Sequence, residues 1–452
     1  MITDLISKEF SESLERGKRF FLKYDYFRIL AHYDGDGTSA SIILTKLLIR
    51  NNKKFHLGFI KDLSVEGFSK RIMEEPNLPT IIVDAGSDQI GYVEGERAET
   101  LVLDHHFYNN EKKDELNINS RDYGVDGTRD ACGSTMAFIF AVYINEENSD
   151  LLPFMISGSI ADKQDLSGFR GLNKALIDRY GKNIESKHVL NLDGENILDA
   201  LVYSTEPFFK NISGSLEGTK KILEKLSINP DLKPEDLSKD DTLKLGNYLG
   251  YLLSFQGAHS EAISYLEKDE LYFGNGFSAT SLSKIIDANS KNGDNNIPVE
   301  FFMGNNSLRS EMIGNKRKYE TKLIDYITRA YKSISKEKNL QFFYAPGSEM
   351  AGAISGQLML YLLDQDKPVI GFNVGDDNTL ISSRGNRRMV ENGLNLSLVM
   401  KECTMKVGGS GGGHDIAAGG SIPRGMERQF LEFADELIGI QLNRPGETLT
   451  GE

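Results

Sequence analysis

Four short stretches of the chain concentrate carboxylates and imidazoles: His32-Tyr33-Asp34-Gly35-Asp36-Gly37, Val83-Asp84-Ala85-Gly86, Leu103-Asp104-His105-His106 and Gly158-Ser159-Ile160-Ala161-Asp162. Three of the chain's seven histidines fall in two of them. Aspartates gathered without arginine partners repel one another, so either some hold protons or cations sit between them. Oxygen and imidazole donors suit Mn²⁺ better than a sulfur-loving metal, although zinc and iron accept the same set. A carboxylate bridging two ions about 3.5–4 Å apart is the usual hydrolytic two-metal arrangement. Taken singly, each stretch is ordinary. Asp-Gly is a common turn, an aspartate after a strand often caps a helix, and adjacent histidines can be a surface pair. The occurrence of all four in order on one α/β unit is what points to a metal centre.

The surrounding pattern supplies such a unit. Phe27 to Ala31 reads as a strand, followed by a glycine-rich turn and a helix from about Ser39 to Ile49. Strands are expected at Phe55 to Ile60, at Pro79 to Val83 ending on Asp84, and at Leu101 to Leu103 ending on Asp104. Helices follow at Gly133 to Glu147 and Leu151 to Ala161. Strands alternating with helices indicate a parallel α/β sheet, and ligands of such sheets bind beyond the carboxyl ends of the strands.

From about 185 to 318 that rhythm is lost, and leucines at helical spacing in Thr219 to Leu226 and Asp236 to Phe255 indicate a mostly helical insert. Tyr319, Leu323, Ile327 and Tyr331 form one face of a connecting helix. The last third regains the alternation. Strands are expected at Leu340 to Tyr344, Val369 to Phe372 and Thr379 to Ser383, with a turn at Pro346-Gly347. Helices are expected at Ser348 to Leu363, Leu394 to Glu402 and Met426 to Leu442. The expected organisation is an α/β chain with an N-terminal parallel-sheet domain (1–185), a helical, partner-docking insert (186–318), a connecting helix (319–338) and a C-terminal α/β domain (339–452).

Between Gly408 and Gly420, seven of thirteen residues are glycine. Glycine density alone describes a flexible loop. The preceding strand and the apolar Ile416-Ala417-Ala418 argue instead for an ordered turn, whose backbone N–H groups can approach a phosphate. Gly411, Gly412, Gly413 and His414 are the candidates there, with Ser383 and Arg384 at a strand end; arginine's planar fork clamps phosphate. Phe342, Phe343 and Tyr344 could stack on bases, but a strand places at least two of them in a core.

With 452 residues, 39% hydrophobic and 26% charged, the chain is a folding, multidomain sequence. Its longest apolar run, Met136 to Ile144, is far short of the roughly 20 residues that span a bilayer, so no membrane association is expected. The N-terminal segment has no secretory pattern. Two cysteines, Cys132 and Cys403, rule against a disulfide framework or thiolate zinc cage and point to a reducing cytoplasm. The net charge of −14 excludes a uniformly basic nucleic-acid surface and confines any such binding to a local groove.

The HYDGDG, VDAG, LDHH and GSIAD stretches, in this order, resemble the four motifs of the DHH phosphoesterase superfamily. The Gly-Gly-Ser-Gly-Gly-Gly-His-Asp-Ile-Ala-Ala-Gly run resembles the glycine-rich motif of its DHHA1 domain. Within the superfamily the chain is similar to archaeal RecJ-type nucleases, including the GINS-associated nuclease, with His32 where bacterial RecJ usually has aspartate. The resemblance implies two divalent ions, typically Mn²⁺, with Mg²⁺ as the alternative. His32 and Asp34 would hold the first, Asp36, His105 and Asp162 the second, and Asp84 would bridge them. His106 would face the scissile phosphate and Asp104 would orient the neighbouring histidine. It further implies a single-strand-specific exonuclease of DNA or RNA that releases 5′ mononucleotides in replication or repair, with GINS as a partner of the insert. A phosphodiesterase of short oligonucleotides or cyclic dinucleotides, and a mainly structural replication subunit, are the alternatives that relatives with these motifs leave open.

Overall fold

The computed structural model describes residues 2–108, 116–166, 168–274, 276–346 and 350–442. In chain order its helices are α1 (Lys8–Lys23), α2 (Gly35–Arg50), α3 (Val65–Met73), α4 (Gly133–Ile144), α5 (Leu152–Ala161), α6 (Gly171–Tyr180), α7 (Ile197–Val202), α8 (Leu216–Leu226), α9 (Lys239–Phe255), α10 (Ser260–Ser264), α11 (Ala279–Lys291), α12 (Asn296–Phe302), α13 (Arg309–Lys332), α14 (Ala351–Tyr361), α15 (Arg387–Glu391), α16 (Leu396–Lys406) and α17 (Glu427–Leu442). Two compact units divide the chain: residues 1–187 with 269–319, and residues 188–268 with 320–452. The span read as one helical insert is therefore shared between them, and the unit boundary passes through α13.

Side chains of successive strand residues point to opposite faces, and this sorts the apolar residues of the first unit. Its strands are β1 (Tyr26–His32), β2 (Lys54–Ile60), β3 (Thr80–Val83), β4 (Thr100–Asp104) and β5 (Asn117–Asn119). Ile29, Ala31, Ile81, Val83, Leu101 and Leu103 enter a large core with α1, α2, α4 and α5. Leu30, Ile82 and Val102 enter a smaller one under Phe68 and Ile72 of α3. Burial on both faces is what a parallel sheet requires, and every pairing here is parallel. The order is β2-β1-β3-β4-β5, which puts a topological switch point between β1 and β3. Ala31 pairs with Val83, and Val83 with Leu103. His32, Asp84 and Asp104 consequently follow one another along a single edge of the sheet.

The chain leaves and re-enters this unit through a two-stranded sheet, β6 (Glu185–Leu190) and β7 (Glu267–Tyr272). The second unit contains a mixed six-stranded sheet of order β12-β13-β11-β10-β9-β8. Its strands are β8 (Ser335–Lys336), β9 (Gln341–Tyr344), β10 (Val369–Val374), β11 (Asn378–Arg384), β12 (Ser410–Gly413) and β13 (Ala417–Pro423). Thus the glycine run is a β-hairpin rather than a turn, with Gly411 opposite Gly420 and Gly412 opposite Gly419. Phe343 is fully buried and Tyr344 is exposed. Gly347 of the expected Pro346-Gly347 turn and the expected helix start at Ser348 lie outside the described residues; the helix there, α14, begins at Ala351. No helix among the described residues is long and apolar enough to cross a membrane.

Candidate metal centre

α2 starts directly after β1, and Asp34 is its N-cap: Oδ1 accepts from the Gly37 N–H at 3.0 Å. Its other oxygen lies 3.0 Å from His32 Nδ1. A capping role and a place in the cluster are therefore compatible. Asp36, in the first turn of α2, is buried and reaches the N-terminus of α4, where Gly133 N donates to Oδ2 at 2.6 Å and Ser134 N to Oδ1 at 3.0 Å. Those are donors that a helix start leaves unused. Asp84 follows β3 with φ +62°, a left-handed conformation costly for a residue with a side chain. A Cβ on Gly133 would meet the Asp84 side chain, so only glycine lets α4 approach this closely.

Asp84 joins the halves of the cluster. Its Oδ1 lies 3.1 Å from His105 Nε2 and its Oδ2 3.5 Å from His32 Nδ1. His105 Nδ1 lies 2.6 Å from the Gly127 carbonyl, which can only accept, so Nδ1 carries a proton and Nε2 faces the carboxylate. Asp162, the C-cap of α5, receives Gln164 Nε2 at 2.8 Å and sits 4.0 Å from His105 Nδ1. One ligand atom from each of His32, Asp34 and Asp84 can be chosen within 4.8 Å of the others, and the same holds for Asp36, His105 and Asp162.

Asp104 plays a different part. It accepts from Ser87 N at 2.9 Å, His105 N at 2.8 Å and His106 Nδ1 at 2.9 Å. Burial opposes its charge, but His106 and these donors outweigh burial and hold its carboxyl below the usual range.

Electrostatics show what the cluster lacks. Burial, followed by the charges of Asp84 and Asp162, pushes the Asp36 carboxyl well above the carboxylate range. Burial pushes Asp162 up to about 6, with Asp84 and Asp34 adding to it. Asp84 goes the other way: burial disfavours its charge, yet hydrogen bonding to His105 and the nearness of His32 hold it well below that range. Two buried atoms, His32 Nδ1 and Asp84 Oδ2, face each other with no hydrogen-bond partner of good geometry among the described residues. Unpartnered donor atoms among desolvated carboxylates, with oxygen and imidazole ligands throughout, fit divalent cations.

Residues 27–161 match the DHH family N-terminal domain and residues 339–439 match the DHHA1 domain. The chain belongs to the DHH/DHHA1 phosphoesterase superfamily. An uncharacterized protein of Methanocaldococcus jannaschii is 32% identical over 93% of this chain and 95% of its own length. In fold, the chain is similar to CDC45 from Entamoeba histolytica (TM-score 0.62, 11% identity, covering 95% of this chain and 98% of that one). It is also similar to RecJ in complex with Mn²⁺ from Thermus thermophilus (TM-score 0.60, 14% identity), covering 96% of this chain. The chain spans only 55% of the length of that RecJ.

In the DHHA1 domain, strand parity decides which residues share a surface. Register places Gly371, Ser382, Gly419 and Gly412 on one face, with Val369, Arg384 and Ala417 in the next row of that face. Gly352 at the start of α14 lies on this side, where an added Cβ would be 3.3 Å from Ser382 Oγ and 3.5 Å from Arg384 Nη2. Ser383 points the other way, buried, and donates to the Ala418 carbonyl at 2.9 Å. Gly411 and Gly413 share the parity of Ser383, and Gly411 backs onto Met400 of α16. Of the six residues expected to bind phosphate, Arg384 and Gly412 thus share one face; Ser383, Gly411 and Gly413 belong to the other. His414 is exposed in the hairpin turn, its N–H donating to Ala417 O. Burial lowers the pKa of the Arg384 guanidinium.

Sequence reasoning missed the supports. Ser87 and Asn119 link the Asp104 loop, with Asn119 Nδ2 donating to Ser87 Oγ at 2.9 Å and to His106 O at 3.0 Å. Asn295 Nδ2 donates to Tyr33 O at 2.6 Å and Thr38 Oγ1 at 2.8 Å. Gln164 could have been flagged from its place two residues after Asp162; nothing local marks Asn295.

Proposed function

We propose that this protein is a two-metal-dependent phosphodiesterase acting as a single-strand-specific exonuclease, which hydrolyses DNA or RNA to 5′ mononucleotides. The observation that carries it is Asp84, with one oxygen toward His105 and the other, unpartnered, toward His32. His32, Asp34 and Asp84 would hold one ion, and Asp36, Asp84, His105 and Asp162 the other, with Mn²⁺ favoured over Mg²⁺ by the imidazoles. When bound, such ions lower the pKa of water and neutralise charge building on the phosphate.

The remaining work belongs to the chain. The Gly127 carbonyl fixes the His105 tautomer. Gln164 turns the Asp162 carboxylate by donating to Oδ2. Asp104 grips His106 Nδ1. Burial and His105 work against a charge on His106, but Asp104 prevails and raises its pKa. An imidazolium so held offers Nε2–H to a phosphate oxygen. No side chain is needed as nucleophile. Arg384, Ser382 and the N–H groups near Gly412 and Gly419 supply the phosphate grip of the DHHA1 domain, Ser382 taking the part first given to Ser383.

End-labelled single-stranded DNA and RNA incubated with Mn²⁺ test the assignment. Wild-type protein should release mononucleotides, and Asp84→Ala and His105→Ala should not; equal activity in these variants ends it. Faster turnover of dinucleotides than of 20-mers would favour the short-substrate enzyme instead. We also infer a replication role with a GINS-type complex as partner, supported by the resemblance to archaeal RecJ-type proteins and by Tyr251 and Phe255, which stack exposed on α9. Undiminished binding of purified GINS by Tyr251→Glu/Phe255→Glu protein would count against that surface.

A further inference from the structure

α11 packs against α2 and α5, the helices that carry Asp36 and end at Asp162. The meeting point is Gly35. A Cβ there would lie 2.9 Å from Ala161 Cβ and 2.9 Å from Asp287 Cβ. One turn further along α11, Lys291 Nζ is 2.6 Å from Asp287 Oδ2 and 5.9 Å from the centre of the Tyr319 ring. Its side chain is 40% exposed, and it stands within electrostatic reach of Asp34. Tyr319 in turn feels Lys163 and Tyr33, and Lys61 Nζ lies 5.4 Å from the centre of the Tyr33 ring. Lysines and tyrosines therefore line the Asp34 side of the carboxylate cluster.

An Asp–Lys pair four residues apart is in itself a commonplace of helix surfaces. This one differs in position, because its aspartate abuts the metal-loop glycine between Asp34 and Asp36. An ammonium has three donors, of which Asp287 takes one. A strand of phosphodiesters passing over four carboxylates, in a chain of net charge −14, needs cations placed locally.

We propose that Lys291, braced by Asp287 and set against Tyr319, binds a backbone phosphate of the substrate strand beside the bond that is cleaved. The Tyr319 ring offers the adjoining sugar or base a flat face. This deepens the phosphodiesterase reading and rests on it.

The test uses full-length Lys291→Ala and Lys291→Arg proteins and a fluorescent single-stranded 20-mer, with binding read by anisotropy across a salt series and Mn²⁺ binding read by calorimetry. Lys291→Ala should weaken 20-mer binding about tenfold, equivalent to about 1.4 kcal/mol, and reduce the salt slope by about one unit. Lys291→Arg should restore most of the affinity, and both should bind Mn²⁺ as wild type does. Unchanged affinity and slope in Lys291→Ala would overturn the proposal. So would a matching loss of Mn²⁺ affinity, because Lys291 would then only brace the metal loop. A wild-type protein that binds the 20-mer but does not cleave it would instead remove the hydrolase reading, and the anisotropy result would still decide the subsite.

Discussion

Gly158 opens the GSIAD stretch and lies inside α5, where alanine should be the better helix former by about 0.5–1 kcal/mol. The structure reverses that expectation. A Cβ at Gly158 would fall inside van der Waals contact with both Ser134 Oγ and Asp36 Oδ1. The serine hydroxyl, which donates to Met155 O at 3.1 Å, can rotate away at the loss of that bond, but Ser134 Cβ, 2.7 Å from the added carbon, can move only with the start of α4. Asp36 cannot retreat as easily, because Gly133 N and Ser134 N hold both of its oxygens. Overpacking of this kind costs about 1–3 kcal/mol, so Gly158→Ala should be roughly neutral to about 2 kcal/mol less stable. Its larger effect should be on the metal: a displaced Asp36 carboxylate should lower Mn²⁺ affinity by about 10–100-fold, the range seen when support of a ligand is lost. Calorimetric titration of Mn²⁺, paired with thermal melts, measures both. Gly356→Ala, in α14 with nothing within 4 Å of the added carbon, is the control and should gain stability. Adding Ser134→Ala to Gly158→Ala removes the hydroxyl but keeps the Cβ at 134, so it should recover part of the stability and none of the affinity. Wild-type Mn²⁺ affinity in Gly158→Ala would refute the reasoning, and recovered affinity in the double variant would shift the cause from Asp36 to Ser134.

Asn295→Ala removes the bonds to Tyr33 O and Thr38 Oγ1 that tie down the His32–Thr38 segment and should raise the Mn²⁺ concentration needed for half-saturation about tenfold; an unchanged titration would show that the segment holds its shape alone. In metal-free protein Asp162 keeps its proton to about pH 6, whereas the unfolded chain loses it near the ordinary value of about 3.9. The folded state then binds the extra proton between those values, so stability should fall as pH rises from about 4 to about 6. Melts of EDTA-treated wild type and Asp162→Asn across that range check the sign, since the variant should lose this part of the slope. Mn²⁺ affinity should rise over the same window, because the ion needs the carboxylate free. Ser382→Ala should weaken binding of single-stranded oligonucleotides with little change in melting, while Ser383→Ala should cost about 1 kcal/mol of stability and leave oligonucleotide binding intact. The opposite pattern in anisotropy and melts would mean that the strand parity is misread.

The difference between these two serines shows where sequence reasoning stops. The candidate ligands His32, Asp84 and His105 were legible because a parallel sheet has one functional edge, and a strand that ends on or just before Asp or His delivers it there without any knowledge of tertiary contacts. In β11 the obstacle was the strand boundary. The expected strand stopped at Ser383, which left Arg384 outside it; once β11 is seen to run through Arg384, the period of two pairs Arg384 with Ser382 and turns Ser383 to the opposite face. Glycines in both β12 and β13 hid the hairpin, having no side chains to alternate. Asn295 and Lys291 were illegible on other grounds. They stand more than 250 residues from the HYDGDG loop in a polar helical stretch, and their meaning arises only when α11, for Lys291, and the start of α12, for Asn295, pack against α2. The residues that position a candidate ligand obey tertiary geometry, whereas the candidates themselves stand at the ends of strands, as His32, Asp84 and His105 do, or of helices, as Asp36 and Asp162 do. A substitution scan of α11 should therefore alter metal and substrate binding along the side that carries Asp287, Ser290 and Lys291, although no motif lies there. Uniform tolerance along that side would sink the distinction.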